Sequence, residues 1–238
     1  MSPAEISLLA ATVLFVGGHF LLSHPLRPAL AGRLGEKGFS LLYSLIAFAA
    51  LGWMIVAWRQ VGETFPLWIA PSLVWWAGSF LMIPALVLLV GSLIRNPAFP
   101  HPGAPPTQIP PPRGVFAVTR HPMNWAFILW ALVHLSVYGT TRNIIVAGDI
   151  LILAFFGSIG QDRRKAAAMG AAWTDWQART GFFPFGAQLR GKLRWRTAFL
   201  PGWIPLIAGT LLWLLITWWH APEVSPIAVY QDFSWLLR

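Results

Sequence analysis

Three histidines lie in or beside long apolar runs, and they are the side chains best suited to chemistry. His19 lies inside the first apolar run, His134 lies inside a later one, and His121 comes directly before Pro122, which opens that later run. Neutral imidazole is a good ligand for haem iron or another transition metal, and it tolerates a low dielectric better than a carboxylate does. Two such histidines on separate segments suit an iron with two histidine ligands. The alternative is that each makes an interhelical hydrogen bond to a backbone carbonyl or a hydroxyl.

Helix geometry gives these histidines approximate depths. Pro122 fits the first position of a helix, and the rise per residue then places His134 ~18 Å along it. Counted from Pro25, His19 is ~9 Å inside its own helix. A shared iron therefore requires a longer first segment, a tilted ring or a different ligand, and His121 is the substitute partner for His19. On one helix, His121 and His134 point ~140° apart.

Asp149 is the other ionisable side chain within an apolar run. We expect it to lie near the outer interface or to be protonated. His24, His101 and His220 lie at the ends of apolar runs or in a proline-rich segment, so we expect them to be interfacial or solvated. The chain has no cysteine, which excludes disulfides, thiolate metal ligands and a cysteine nucleophile. No Ser-His-Asp, P-loop or dinucleotide-binding pattern occurs in the sequence.

The composition indicates a membrane protein. Hydrophobic residues make up 56% of the chain, charged residues make up 11%, and the mean hydropathy is +0.61, values that do not fit a soluble domain of this length. The 15 tryptophans suit aromatic belts at two membrane interfaces. The net charge of +9 fits basic loops that set topology and touch anionic lipid, rather than nucleic-acid binding. The expected partners are therefore membrane lipid and lipophilic small molecules, and no nucleic acid.

The elements that must position the histidines are membrane helices. The sequence predicts an all-α polytopic bundle of about six transmembrane helices, with a range of five to seven, forming one domain over residues 1–238. Pro84 should kink the third helix. The turn at 139–142 should make the fourth and fifth helices antiparallel neighbours. The predicted spans are residues 6–24, 39–59, 72–94, 122–139, 143–160 and 199–219.

The connecting segments carry most of the charge. A loop at 26–38 follows the first span, an extended and exposed proline-rich loop covers 95–119, and 161–197 contains an amphipathic helix. With six spans, fourteen of the seventeen basic residues fall on one face and three on the other. The positive-inside rule then makes the crowded face cytoplasmic and places both termini outside, as in a bacterial-type inner membrane.

Several sequence blocks resemble one family of membrane proteins. The blocks are GHFLLS at 18–23 followed by Leu26-Arg27, LGEKGF at 34–39 followed by LYS at 42–44, RGVFAVTRHPM at 113–123, WALVHL at 130–135, DRRK at 162–165, Trp173, and FPF at 183–185. Together they resemble the NnrU family over most of residues 15–195.

The resemblance implies a haem b protein of the membrane. The family is linked to denitrification and includes the plant zeta-carotene isomerase, in which the redox state switches a histidine ligand of the haem. By this resemblance His19 and His134 correspond to the family's proposed iron ligands, and His121 to a third. It also implies cofactor-binding roles for a further set, namely Arg120, Asn124, Trp130, Arg27 and Glu36. The implied function is redox-linked work on a lipophilic or nitrogen-oxide-related substrate, as a polyene isomerase or as an accessory factor of denitrification.

Two other functions compete with this one. The RHP triplet at 120–122 followed by a span is also similar to membrane methyltransferases of the isoprenylcysteine and phosphatidylethanolamine type, which would use S-adenosylmethionine. Here Gln161-Asp162 stands where those enzymes have paired glutamates, and Asn124 replaces their usual tyrosine. A non-catalytic scaffold or small-solute carrier needs only the spans and Asp149.

Overall fold

The fold is helical, as the sequence predicts. The computed structural model describes residues 1–62, 65–99 and 107–224, with side chains up to Trp219. His101, the side chain of His220 and the tail beyond Val224 therefore lie outside the described residues. Within the described ranges the regular secondary structure is helix, and the only strand-like pairing there is an isolated antiparallel bridge between Ile69 and Tyr138.

Ten helices follow one another along the described part of the chain. In order they are α1 (Pro3–Ser23), α2 (Arg27–Gln60), α3 (Ser72–Ser92), α4 (Val115–Val118), α5 (Pro122–Val137), α6 (Thr141–Met169), α7 (Ala171–Arg179), α8 (Gly186–Leu189), α9 (Trp195–Ala198) and α10 (Trp203–Val224).

Six of these helices are apolar enough to consider as membrane spans. The helices α1, α2, α3 and α6 are long and apolar enough to cross a bilayer, while α5 and α10, over Trp203–Trp219, are shorter apolar helices. Large apolar side chains remain exposed along them, such as Leu45 at 60% and Phe48 at 71%. Such surfaces suit contact with lipid. The chain is a multi-pass membrane protein with a helical bundle.

The helix boundaries differ from the prediction at two places. The predicted loop at 26–38 is helical, because α2 begins at Arg27 and is broken only at Gly35, where φ is +70°. Glycine adopts this backbone conformation at little cost, so a single residue can bend the helix where the sequence predicts a loop. At the other place, α6 continues beyond the predicted end at residue 160 to Met169, and thus includes the charged residues 162–165.

The proline-rich loop is also less exposed than predicted. Residues 100–106 lie outside the described residues, but Ala98 and Ile109 are buried. The Arg179 guanidinium donates a hydrogen bond to the carbonyl oxygen of Ile109 at 3.1 Å, and the loop ends in the short helix α4. Contacts within the chain, which proline content alone does not reveal, therefore cover part of this segment.

The chain divides into two compact units. The first comprises 1–75 and 127–167, and the second comprises 76–126 and 168–238. In the first unit, Leu8 and Ala11 of α1 are buried with a cluster from the end of α2, and Ile145 and Val146 of α6 pack against them. This cluster forms the core at the amino-terminal end of α1.

The helices α1 and α6 run parallel in the first unit. The start of α1 packs near the start of α6, as the contacts at Ile145 and Val146 show. Near their other ends, a Cβ added to Gly160 would overlap the His24 ring, and Arg164 donates to the carbonyl oxygen of Ser23 at 3.1 Å. Consecutive membrane spans alternate in direction. If α2 and α3 both cross the membrane, α6 can therefore run parallel to α1 only if α5 crosses it too.

In the second unit, α3 and α10 are antiparallel. Gly209 of α10 lies against the backbone of Val87, and the Trp213 indole donates to the carbonyl oxygen of Ser79 at 2.9 Å. When consecutive spans alternate in direction, the third and the sixth span are antiparallel. The helix directions within each unit therefore agree with six crossings.

Cysteine labelling can test this order of crossings, because the chain has no native cysteine. We expect Ser2→Cys and Ser72→Cys to react with a membrane-impermeant maleimide from one side of sealed vesicles. Arg33→Cys and Lys192→Cys should react from the opposite side. An odd number of spans separates each of these two positions from residue 2, and also from residue 72. Labelling of Ser72→Cys and Lys192→Cys from the same side would contradict six crossings.

Candidate functional site

His19 is held by its own helix and by α2. Its Nδ1 lies 2.6 Å from the carbonyl oxygen of Phe15, and because a carbonyl only accepts, Nδ1 carries the proton. The lone pair is then on Nε2, the nitrogen that would bind a metal. The ring is partly buried between Phe15, at 4.4 Å between centroids, and Tyr43, at 5.4 Å. This side chain has the tautomer of a metal ligand.

The space beside His19 is small. A cavity of about 10 Å³ is lined by His19 and Tyr43, with Gly18 and apolar neighbours on α1 and α2. This volume holds about one water molecule. A larger ligand therefore reaches His19 from the partly exposed edge of the ring, or after the Tyr43 side chain moves.

His134 has similar local bonding at a different position. Its Nδ1 lies 2.8 Å from the carbonyl oxygen of Trp130, and the two rings stack at 4.1 Å. His134 lies in the last turn of α5, where its carbonyl oxygen accepts a hydrogen bond from the Asn143 amide at 2.7 Å. Trp130 is thus a neighbour of His134, and this part of the predicted site is assembled by one helix.

The structure does not bring His19 and His134 to one level. Contacts place His24 beside Gly160, and His134 beside Asn143. At ~1.5 Å per residue these two levels are about 25 Å apart along α6. His19 is one and a half turns before His24, so about 18 Å separate His19 from the level of His134. A shared metal ion requires ring nitrogens within about 4 Å of each other. In this arrangement the two rings lie too far apart to share one metal ion.

The predicted residues Arg120 and His121 lie in the second unit, where both contact Phe182. The Arg120 guanidinium is 5.4 Å from the Phe182 ring centroid, and its backbone N–H donates to the Gly181 carbonyl at 2.8 Å. His121 is 2% exposed and its ring lies edge-on to Phe182 at 5.2 Å. Thr119 supports this contact by donating to the carbonyl oxygen of Phe182 at 2.7 Å. The RHP triplet is therefore fixed by an aromatic segment from far along the chain.

The remaining predicted residues have separate surroundings. Asn124 is partly buried at the start of α5. Arg27 forms an ion pair with Glu36 at 2.7 Å across the bend at Gly35, and its guanidinium lies 4.8 Å from the ring centroid of Phe39. Arg27 and Glu36 therefore contact each other directly.

A group of cations lies near His19 at the ends of α1 and α6. Tyr43, which contacts His19, also interacts electrostatically with Arg164. The charges of Arg27, Arg164 and Lys165 are close enough to repel one another. We call these three residues the cation cluster. Such a concentration of positive charge suits a ligand with carboxylate groups.

The other two ionisable residues have distinct settings. The His24 ring, directly after the end of α1, is partly buried against Gly160, and its Nδ1 lies 3.2 Å from the Phe20 carbonyl oxygen. One carboxylate oxygen of Asp149 is buried and has no hydrogen-bond partner among the described residues.

Among the described residues, no group of three or more His, Asp or Glu side chains could hold a metal ion.

Sequence reasoning did not identify three residues that interact with the predicted site residues, namely Tyr43, Arg164 and Phe182. Each lies in or next to a block that resembles the family, but its partner is distant in sequence. Their place in or next to those blocks was the available signal.

Comparisons with known proteins agree with the blocks. A family model described as NnrU protein matches residues 7–226. The chain is 28% identical over 79 residues to a chloroplastic 15-cis-zeta-carotene isomerase of Zea mays. It is 30% identical over 79 residues to the enzyme of the same name in Arabidopsis thaliana. In both cases the match spans 33% of this chain and 22% of the relative. No solved structure matches the chain.

Proposed function

Because this chain belongs to the NnrU family, we propose that it is a haem b-binding membrane isomerase that acts on a lipophilic polyene. The observation that carries the proposal is His19, whose Nδ1–H is bound by the Phe15 carbonyl at 2.6 Å, so that Nε2 offers its lone pair. The similarity to two proteins named 15-cis-zeta-carotene isomerase supports the reaction type.

The residues around His19 fit haem b by their chemistry. The backbone hydrogen bond fixes the ring orientation, as outer hydrogen bonds do for histidine ligands of metals. Phe15 and Tyr43 supply aromatic surface on either side of the imidazole. We assign His19 as the ligand. His134 stays a candidate ligand of its own, because in this arrangement it lies at a different level.

The cation cluster would bind the acidic groups of the cofactor. Haem b carries two propionates. In the cation cluster the positive charges of Arg27, Arg164 and Lys165 repel one another. Glu36 forms an ion pair with Arg27. Carboxylates brought to this cluster would relieve that repulsion and form charge-assisted hydrogen bonds. Arg164 is already oriented by its bond to the Ser23 carbonyl. Arg27 and Glu36 would therefore act at the edge of the cofactor, as the family resemblance implies.

The surroundings of His19 suit a water-free reaction on a hydrophobic molecule. Leu14, which lines the small cavity together with His19, is 49% exposed, so a substrate dissolved in lipid can approach from this side. Haem b, when bound, would supply a redox-active iron that eases rotation about a substrate double bond. The protein's part is to hold the cofactor at the membrane edge and to exclude water from it.

An absorption spectrum tests the cofactor part of the proposal. We expect protein purified in mild detergent from haem-replete cells to show a Soret band, with about one haem per chain. The protein should then convert a 15-cis polyene, for which 15-cis-zeta-carotene is the first probe, when the iron is reduced. Colourless protein would overturn the haem assignment, and coloured protein that leaves the polyene unchanged would overturn the isomerase assignment.

A further inference from the structure

The second unit contains a large cavity between the end of α3 and the start of α10. Its volume is about 830 Å³, which is the size of a site for a drug-sized or lipid-like ligand. Apolar side chains line most of it, including Ile94, Ile109, Phe116, Trp176 and Trp203. A ligand for this cavity therefore needs a hydrocarbon part.

Two arginines join the lining of this cavity. Arg95 and Arg113 both line it, both are exposed, and neither has an acidic partner within the described part of the chain. Arg95 also has a φ of +50°, a left-handed conformation that non-glycine residues adopt at a cost. The cavity thus combines apolar walls with two cations that are available to an anion.

Trp176 adds a hydrogen-bond donor. Trp176 lines the cavity and is 2% exposed. The indole Nε1–H is buried and has no acceptor among the described residues. Leaving such a buried donor unsatisfied is energetically unfavourable. An oxygen atom of a ligand in the cavity would satisfy it.

The position of the cavity agrees with a ligand taken from the membrane. It lies where two apolar helices, α3 and α10, end and begin. Trp203, the first residue of α10, is 71% exposed, as expected for an aromatic residue at a membrane interface. Arg95, Arg113, Arg194 and Arg196 lie in the segments of the sequence that flank this end of α3 and α10.

We propose that this cavity binds a phospholipid with an anionic headgroup. The acyl chains occupy the apolar part, the phosphate lies with Arg95 and Arg113, and an oxygen of the headgroup or of an ester accepts from the Trp176 indole. This site does not depend on the haem or on the isomerase activity.

Native mass spectrometry of the full-length protein in detergent can test the site, with dioleoyl phosphatidylglycerol as the probe. We expect one tightly bound phosphatidylglycerol. The double variant Arg95→Gln/Arg113→Gln should bind it roughly tenfold more weakly, because each cation near an anionic lipid contributes to affinity. Trp176→Phe should weaken binding by about threefold, since the ring remains and a single donor is lost.

Matched variants separate this site from general charge effects. Arg33→Gln/Arg194→Gln removes the same charge at exposed positions that do not line the cavity, and it should leave binding unchanged. Ile94→Trp keeps both arginines but fills the cavity, and it should also reduce binding.

Three results would overturn the proposal. One is equal binding of dioleoyl phosphatidylcholine, and another is equal loss of phosphatidylglycerol in the control pair. The third is binding of oleate without binding of phosphatidylglycerol, which would indicate a fatty-acid site. A haem-free preparation that still binds phosphatidylglycerol would support the site independently of the proposed function.

Discussion

The variant His19→Ala is expected to bind haem b about 100-fold more weakly than the unmodified protein, since even outer hydrogen-bond partners of metal ligands contribute 10- to 100-fold. The imidazole of His19 is fixed by the Phe15 carbonyl at 2.6 Å, and no other histidine lies at its level in the first unit. Titration of detergent-purified protein with haemin, followed by the Soret band, measures the affinity. The change should appear as a lost or strongly reduced band.

His134→Ala is the matched control for this result. His134 has the same kind of backbone bond, to the Trp130 carbonyl at 2.8 Å, but lies in the last turn of α5. We expect this variant to keep most of its haem. Added imidazole should restore a Soret band to His19→Gly, because the small molecule replaces the missing ligand. If His134→Ala alone lost the haem, His134 and not His19 would be the ligand.

Gly209→Ala is expected to lower the free energy of unfolding by about 2–3 kcal/mol, the upper part of the range for overpacking a close contact. A Cβ at this position would lie 2.8 Å from both the backbone nitrogen and the Cα of Val87. Since these are main-chain atoms, a side-chain rotation cannot make room, and α10 must move away from α3. Small residues commonly allow such close approach of helices in membranes. Reversible unfolding in mixed detergent micelles measures the change.

Gly157→Ala gives the contrast for Gly209→Ala. Gly157 lies within α6, and no heavy atom is within 4 Å of the position its Cβ would take. The same substitution should therefore be neutral or stabilise the protein by up to about 1 kcal/mol, through the helix preference of alanine. Equal destabilisation by both variants would show that the contact with Val87 does not hold α3 and α10 together.

Sequence reasoning located the candidate side chains but not their partners. The start of α5 at Pro122 and the tight turn before α6 were predicted and are confirmed. The meeting of His19 with His134 is not found, because their depths depend on how α1 and α5 align with α6. Phe182, which contacts Arg120 and His121, lies about sixty residues away in sequence. No local pattern encodes such a pairing.

The sequence by itself determined that this protein is a helical, multi-pass membrane protein of the NnrU family. Hydropathy is a local property, and a bilayer requires every spanning segment to satisfy its own backbone hydrogen bonds, so composition and run length suffice. Only the tertiary structure decided the level of each histidine, the close approach of Gly209 to Val87, and the cavity that gathers Arg95, Arg113 and Trp176. These features depend on how helices far apart in the chain pack side by side, and that packing is set by the shapes of whole surfaces.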